Sequence, residues 1–239
     1  MSPDARLILE RLQQVAAERA RQAQDPVLAR RVQALKAFQH RRFERTYADL
    51  LADPATRAAA LFFLTDLYGA RDFSDRDAQF ARIVPGLDRL FPAEVVHTVC
   101  ELSELHALSE AMDHRMADLL AADTPDPAAY MDAWCRAGQP DRRERQVALM
   151  LAVGGALVGY TRNRWLRRSL HLMRGPARLA GLTALHGFLE RGFDTFADLR
   201  DPQAFLDTVA RRERALAARL FTRPSTPPPD LPAPGDVAR

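Results

Sequence analysis

Asp66, Tyr68, Arg71, Asp72, Arg76 and Asp77 crowd the stretch FFLTDLYGARDFSDRD, residues 62–77, in which four aromatic rings stand among four aspartates and two arginines. Carboxylates beside a phenol and guanidinium groups have the makings of acid–base chemistry, with Asp66 or Asp72 as a base and Tyr68 as a hydrogen-bond donor. The same residues also fit a corner between two helices held by ion pairs. Asp66 falls among apolar neighbours near a helix end, where an unpaired carboxylate is costly. An arginine such as Arg71 or Arg76, or capping N–H groups, is expected to satisfy it. Ser74 has the character of an N-cap, with Asp77 completing an approximate capping box and Phe73 as the apolar staple.

His106, Ser109 and Asp113 form a second constellation. They recur at three and four along one amphipathic segment, so they share a helix stripe. One stripe does not give the converging geometry of a catalytic triad, and the expected role is a polar core layer that sets helix register. The pairs His97/Glu101, Glu110/His114 and His186/Glu190 are spaced by four. The four-helix carboxylate sites require Glu-x-x-His instead, so no metal and no other cofactor is expected. None of the six histidines is singled out as a haem ligand.

A third set lies in TRNRWLRRSLHLMRGPAR, where Arg164, Arg167, Arg168 and His171 are a candidate anion-binding stripe beside Trp165. The 162–178 region offers a phosphate or nucleic-acid contact, but no recognised nucleic-acid motif accompanies it, so nucleic acid is not the expected partner. Just upstream, Gly154, Gly155 and Gly159 interrupt an apolar run. Each lowers helix propensity by roughly 1 kcal/mol against Ala. Close approach of another helix, or a ligand lying on that glycine face, would compensate.

These side chains need helices to carry them. Four Asp-Pro pairs, at Asp25, Asp53, Asp126 and Asp201, each read as a helix start, Asp capping and Pro at the first helical position. Between them apolar residues recur at three and four, and no strand pattern is found. The spacing predicts an all-α fold, a multi-helix bundle of about 8–10 helices with two long central ones at about 93–122 and 140–173. Residues 1–222 read as one helical domain, with 1–24 as a peripheral N-terminal helix. Residues 223–239, rich in Pro, read as a disordered tail.

Composition narrows the function less. A formal charge of +3 over 239 residues argues for no particular partner, and Lys36 is the sole lysine among 34 basic residues. Charge is segregated: residues 93–132 hold nine carboxylates against Arg115, whereas residues 133–178 hold ten arginines against Asp141 and Glu144. Two cysteines without metal spacing and no signal-peptide core point to the cytoplasm. The longest apolar run, residues 147–158, is too short to span a bilayer, so no membrane partner is expected.

The run FFLTDLYGARDFSDRD continuing into ARIVPGLDRLFP, with RGPARLAGLTALHGFLERGFDTF and RRERALAARLF further on, resembles a family of uncharacterised proteobacterial all-helical proteins with an FFLxDLYGxxDFxxRD-like signature. The likeness covers most of residues 25–221 and implies no activity, cofactor or catalytic residue. With helix signals abundant and catalytic motifs missing, the leading expectation is a non-enzymatic cytoplasmic interaction or adaptor protein that binds a protein partner or itself. The rival is a ligand-binding protein or enzyme with a pocket near Asp66, Tyr68, Asp72 and Arg76 or on the glycine face.

Overall fold

A computed structural model describes residues 1–67 and 73–233, and among these it is all-helical with no strand. Tyr68, Arg71 and Asp72 of the acid-rich stretch, residues 234–239, and the side chains of Arg164 and Trp165 lie outside the described residues. The helices are α1 Pro3–Gln24, α2 Pro26–Thr46, α3 Ala48–Ala52, α4 Arg57–Phe62, α5 Ser74–Ile83, α6 Leu87–Leu90, α7 Ala93–Leu119, α8 Pro127–Ala137, α9 Pro140–Thr161, α10 Arg164–Leu172, α11 Arg174–Leu179, α12 Thr183–Asp198 and α13 Pro202–Phe221.

Three of the Asp-Pro pairs start helices as expected. Asp25 accepts from the N–H groups of Val27 and Leu28, Asp126 from Ala129 and Asp201 from Ala204, each followed by Pro in the first turn. Asp53 behaves differently. Its carboxylate takes the N–H of Ala55, two residues on, and makes a tight turn, so α4 begins only at Arg57. Ser74 does not cap α5 either: Phe73 holds the cap position without a side-chain bond, and the Asp77 carboxylate is engaged elsewhere.

α7 is the axle. Its first turns carry Val96 and Cys100 against Ile8, Leu12 and Val84 of the α1 side. Its middle carries Leu105, Leu108 and Met112 into the cluster of Phe63, Phe196, Phe205 and Leu206. Its end carries Met116, Ala117 and Leu120 against Val32, Phe38 and Tyr130. A helix enclosed on several sides needs no single apolar face, and α7 accordingly mixes polar and apolar residues around its girth. α1 buries one stripe, Ala5, Ile8, Leu12 and Val15.

The second long helix is shorter than expected. α9 stops at Thr161, and Asn163, whose Oδ1 accepts from the N–H of Leu166, starts α10 as a separate piece. The C-terminal segment also departs from expectation. Leu231 is buried in the cluster of α2, α8 and α13, and its carbonyl takes a bond of 3.2 Å from Arg45, so residues up to 233 include packed chain rather than a solvated tail.

The glycines of α9 divide. A Cβ on Gly154 would meet Leu206 of α13 at 2.6 Å, whereas Gly155 and Gly159 face open space. The glycine stripe is therefore one close helix contact and two exposed positions, and Ala152 is exposed as well. Gly155→Ala and Gly159→Ala are each expected to raise stability by about 0.5–1 kcal/mol through helix propensity. Gly154→Ala should instead lower it by about 1–3 kcal/mol through overpacking. Chemical denaturation of the three variants gives the signs.

Candidate functional site

Five helices turn polar residues inward where the middle and end clusters of α7 meet. The spacing on each is that of one helix stripe: Lys36, Gln39 and Arg42 on α2; His106, Ser109, Glu110 and Asp113 on α7; Arg143 and Gln146 on α9; Tyr130 and Trp134 on α8; Glu213 on α13. With Phe73 and a few apolar side chains they bound a cavity of about 90 Å³.

The wall is cross-linked. Lys36 Nζ donates to Glu110 (2.6 Å), Gln39 Nε2 to Asp113 (2.9 Å) and Gln146 Nε2 to the Ser109 hydroxyl (2.8 Å). Glu213 accepts from Arg42 and from the Tyr47 hydroxyl, the latter at 2.7 Å. Arg143 lies over the Trp134 ring, 3.8 Å from its centroid, and donates to Gln146 (3.1 Å) and to the Met116 sulfur. Arg143 has no carboxylate partner among the described residues. Nε of Arg42, Nε of Arg143 and Nε1 of Trp134 are buried and donate to no acceptor among the described residues.

Burial acts on the charges unequally. For Glu110, burial alone would raise the carboxyl, but the Lys36 ammonium outweighs it and holds the group below its ordinary range. Asp113 has only Gln39 bonded to it; burial pushes it up, and the distant pull of Lys36 does not cancel that. Burial likewise draws Arg143 below the ordinary guanidinium value despite Tyr130 and Asp113 nearby. Arg42 goes the other way, because the Glu213 charge overcomes burial. The site thus holds two closed ion pairs and one guanidinium, that of Arg143, with no carboxylate partner among the described residues.

His106, Ser109 and Asp113, expected as a core polar layer, all stand in this wall. From the acid-rich stretch, Asp77 reaches the edge of the site: its carboxylate bonds His106 Nε2 (2.8 Å) and pairs with Arg19 (2.9 Å) and Arg76 (3.3 Å). Asp66 does not join them. Its carboxylate is bound by Arg191 of α12 and by the Thr65 hydroxyl, while Arg76 donates to its main-chain carbonyl (3.1 Å) and lies over the Phe73 and Phe188 rings. Arg191, 125 residues away, takes the place expected for Arg76, and Arg71 lies outside the described residues. The basic stripe lies apart too: Arg167 faces Asp194 and Asp198, and His171 faces Glu190.

Burial would raise the Asp77 carboxyl, but the hydrogen bond and charge of His106, with Arg76 and Arg19, hold it below its ordinary range. A depressed carboxyl contributes stability that is complete above the unfolded value, about 3.9, and is lost as pH falls through the folded one. Asp77→Asn is therefore expected to lower stability near neutrality and to flatten its decline below about pH 4. Urea unfolding at several pH values measures both; a decline as steep as the parent's refutes the assignment.

A family model described as a domain of unknown function (DUF8198) matches residues 18–227. The chain belongs to this family. No curated protein and no solved structure matches it. The DUF8198 match takes in the whole cavity wall, from Lys36 to Ala217. It also takes in the Pro-rich residues as far as 227. Among the described residues no helix is long and apolar enough to cross a membrane, and no group of three His, Cys, Asp or Glu is placed to hold a metal ion.

Lys36, Gln39, Arg42, Tyr130, Trp134, Arg143, Gln146 and Glu213 were not among the candidates read from the sequence. One signal was there: Lys36 is the sole lysine, and it falls within the apolar stripe of α2 formed by Leu28, Val32, Leu35 and Phe38. A cation inside such a stripe demands a carboxylate from a facing helix.

Proposed function

We propose that this DUF8198 protein binds a small anion, a compact carboxylate or oxyanion, in the cavity between α2, α7, α8, α9 and α13. One observation carries the reading: Arg143, which has no carboxylate partner among the described residues, lines the cavity with Arg42 and Trp134, and each of the three holds a buried N–H that donates to nothing among the described residues. Guanidinium and indole N–H groups offer donors only, so the complement is an acceptor-rich group. Asp113 supplies a second recognition point; with its proton retained it donates, and ionised it selects a hydroxyl or ammonium on the same ligand.

Size restricts the class. A cavity of about 90 Å³ falls far short of the roughly 300 Å³ where drug-sized pockets begin. A ligand of few heavy atoms fits. An adaptor role leaves the buried donors without a task, which is why ligand binding is preferred to it. The unpaired Cys100 and Cys135 thiols support a cytoplasmic setting, and the resemblance across residues 25–221 supports a proteobacterial family marked by the residue 62–77 signature.

Thermal unfolding of the purified chain against small carboxylates, phosphate and sulfate tests the reading. At least one is expected to raise Tm in step with the logarithm of its concentration, by the equivalent of about 2.7 kcal/mol at a hundred times its Kd. A panel in which no anion exceeds the effect of chloride at equal ionic strength refutes it.

A further inference from the structure

Residues 162–182 contain six arginines and His171 but no carboxylate. The fold sorts these side chains by side. Arg167 turns to Asp194 (2.9 Å), and His171 and Arg174 both reach Glu190 (2.6 Å), so the acids of α12 neutralise the inner side. The outer side runs through positions 168, 172, 175 and 179, spaced four, three and four as on one helix face. α10 passes into α11 with Met173 still in helical backbone, its N–H bonded to Ser169 and its carbonyl to the Ala177 N–H.

That outer side is apolar at its tips. Leu172 is 78 % exposed, Met173 52 % and Leu179 91 %. Arg162 and Arg178, before and after them in the chain, are exposed as well. Leucines standing clear of the surface among guanidinium groups fit a medium that offers phosphates above hydrocarbon.

We propose that the α10–α11 face is a peripheral docking surface for an anionic lipid bilayer, with Leu172, Met173 and Leu179 entering the acyl boundary and Arg162 and Arg178 meeting head-group phosphates. The charge complementarity is direct, and the head-group region admits isolated apolar tips one by one. A folded protein partner would have to supply a fitted pocket for each, and a nucleic-acid duplex has no apolar phase for Leu179. The contact is interfacial, since no described helix is long and apolar enough to cross. It is independent of the cavity.

Sedimentation of the full chain with phosphatidylcholine vesicles, with and without phosphatidylglycerol, is the test. Partition into the anionic vesicles is expected to exceed that into the neutral ones by at least about tenfold and to fall with added salt. Leu172→Ser with Leu179→Ser should reduce it by about tenfold with Tm unchanged, because neither side chain packs in the core. Equal partition into both vesicles, or a double variant that partitions like the parent, overturns the proposal. So does a duplex oligonucleotide that the anionic vesicles do not displace, which would assign the surface to nucleic acid.

Discussion

Glu213→Ala is expected to destabilise the protein by about 3 kcal/mol, the low end of the range for removing one partner of a buried ion pair. Glu213 joins α13 to α2 by accepting from both Arg42 and the Tyr47 hydroxyl. The Arg42 side chain is only 12 % exposed, so without the carboxylate its charge stays inside with little water to replace the partner. The low end applies because Glu213 itself is 24 % exposed and water can partly fill its place. At about 2–4 °C per kcal/mol for a chain of this size, Tm should fall by about 6–12 °C. Glu213→Gln keeps an acceptor for Tyr47 and should cost about half. A double-mutant cycle with Arg42→Met checks the mechanism, since the pair should lose less than the sum of the single changes. Loss of under about 1 kcal/mol in Glu213→Ala would mean that solvent already satisfies the layer.

Arg143→Met is expected to do the opposite of what removing a buried arginine from an ion pair does. Arg143 has no carboxylate to leave stranded, and burial already works against its charge. Relief of that penalty offsets the lost contact with the Trp134 ring and the bond to Gln146. The fold should hold its stability within about 1 kcal/mol while anion-induced stabilisation disappears, a loss of about 4 kcal/mol at a thousand times the parent Kd. Calorimetric titration of the anion found by thermal unfolding separates the outcomes. A variant that binds as tightly as the parent removes Arg143 from the site; one that no longer folds makes its role structural.

The candidates taken from the sequence had unequal fates for a physical reason. His106, Ser109 and Asp113 were legible because polar residues at three and four on an apolar helix must face something polar, whatever the fold. Asp66 was legible as a carboxylate needing a cation, but its partner was not, since Arg191 arrives from α12. The break at Asn163 was missed because apolar and basic residues keep helical spacing across it, and a single side chain bonding the N–H of Leu166 restarts the helix. Leu231 was missed because Pro-rich composition describes the cost of ordering a segment, while one leucine finding the seam of α2, α8 and α13 repays it.

By itself the sequence determined that this protein is helical and where most of its helices start. Those signals act within a few residues: Asp25, Asp126 and Asp201 each satisfy an N–H group within the next three positions, and Pro follows at once. Which stripes meet is settled by packing between helices. Lys36 finds Glu110 across 74 residues and Arg42 finds Glu213 across 171, so the cavity exists in no local segment. Its composition depends on the rotation of five helices about their axes. That rotation is set by the burial of apolar surface over the whole bundle, which a spacing rule along one helix does not contain.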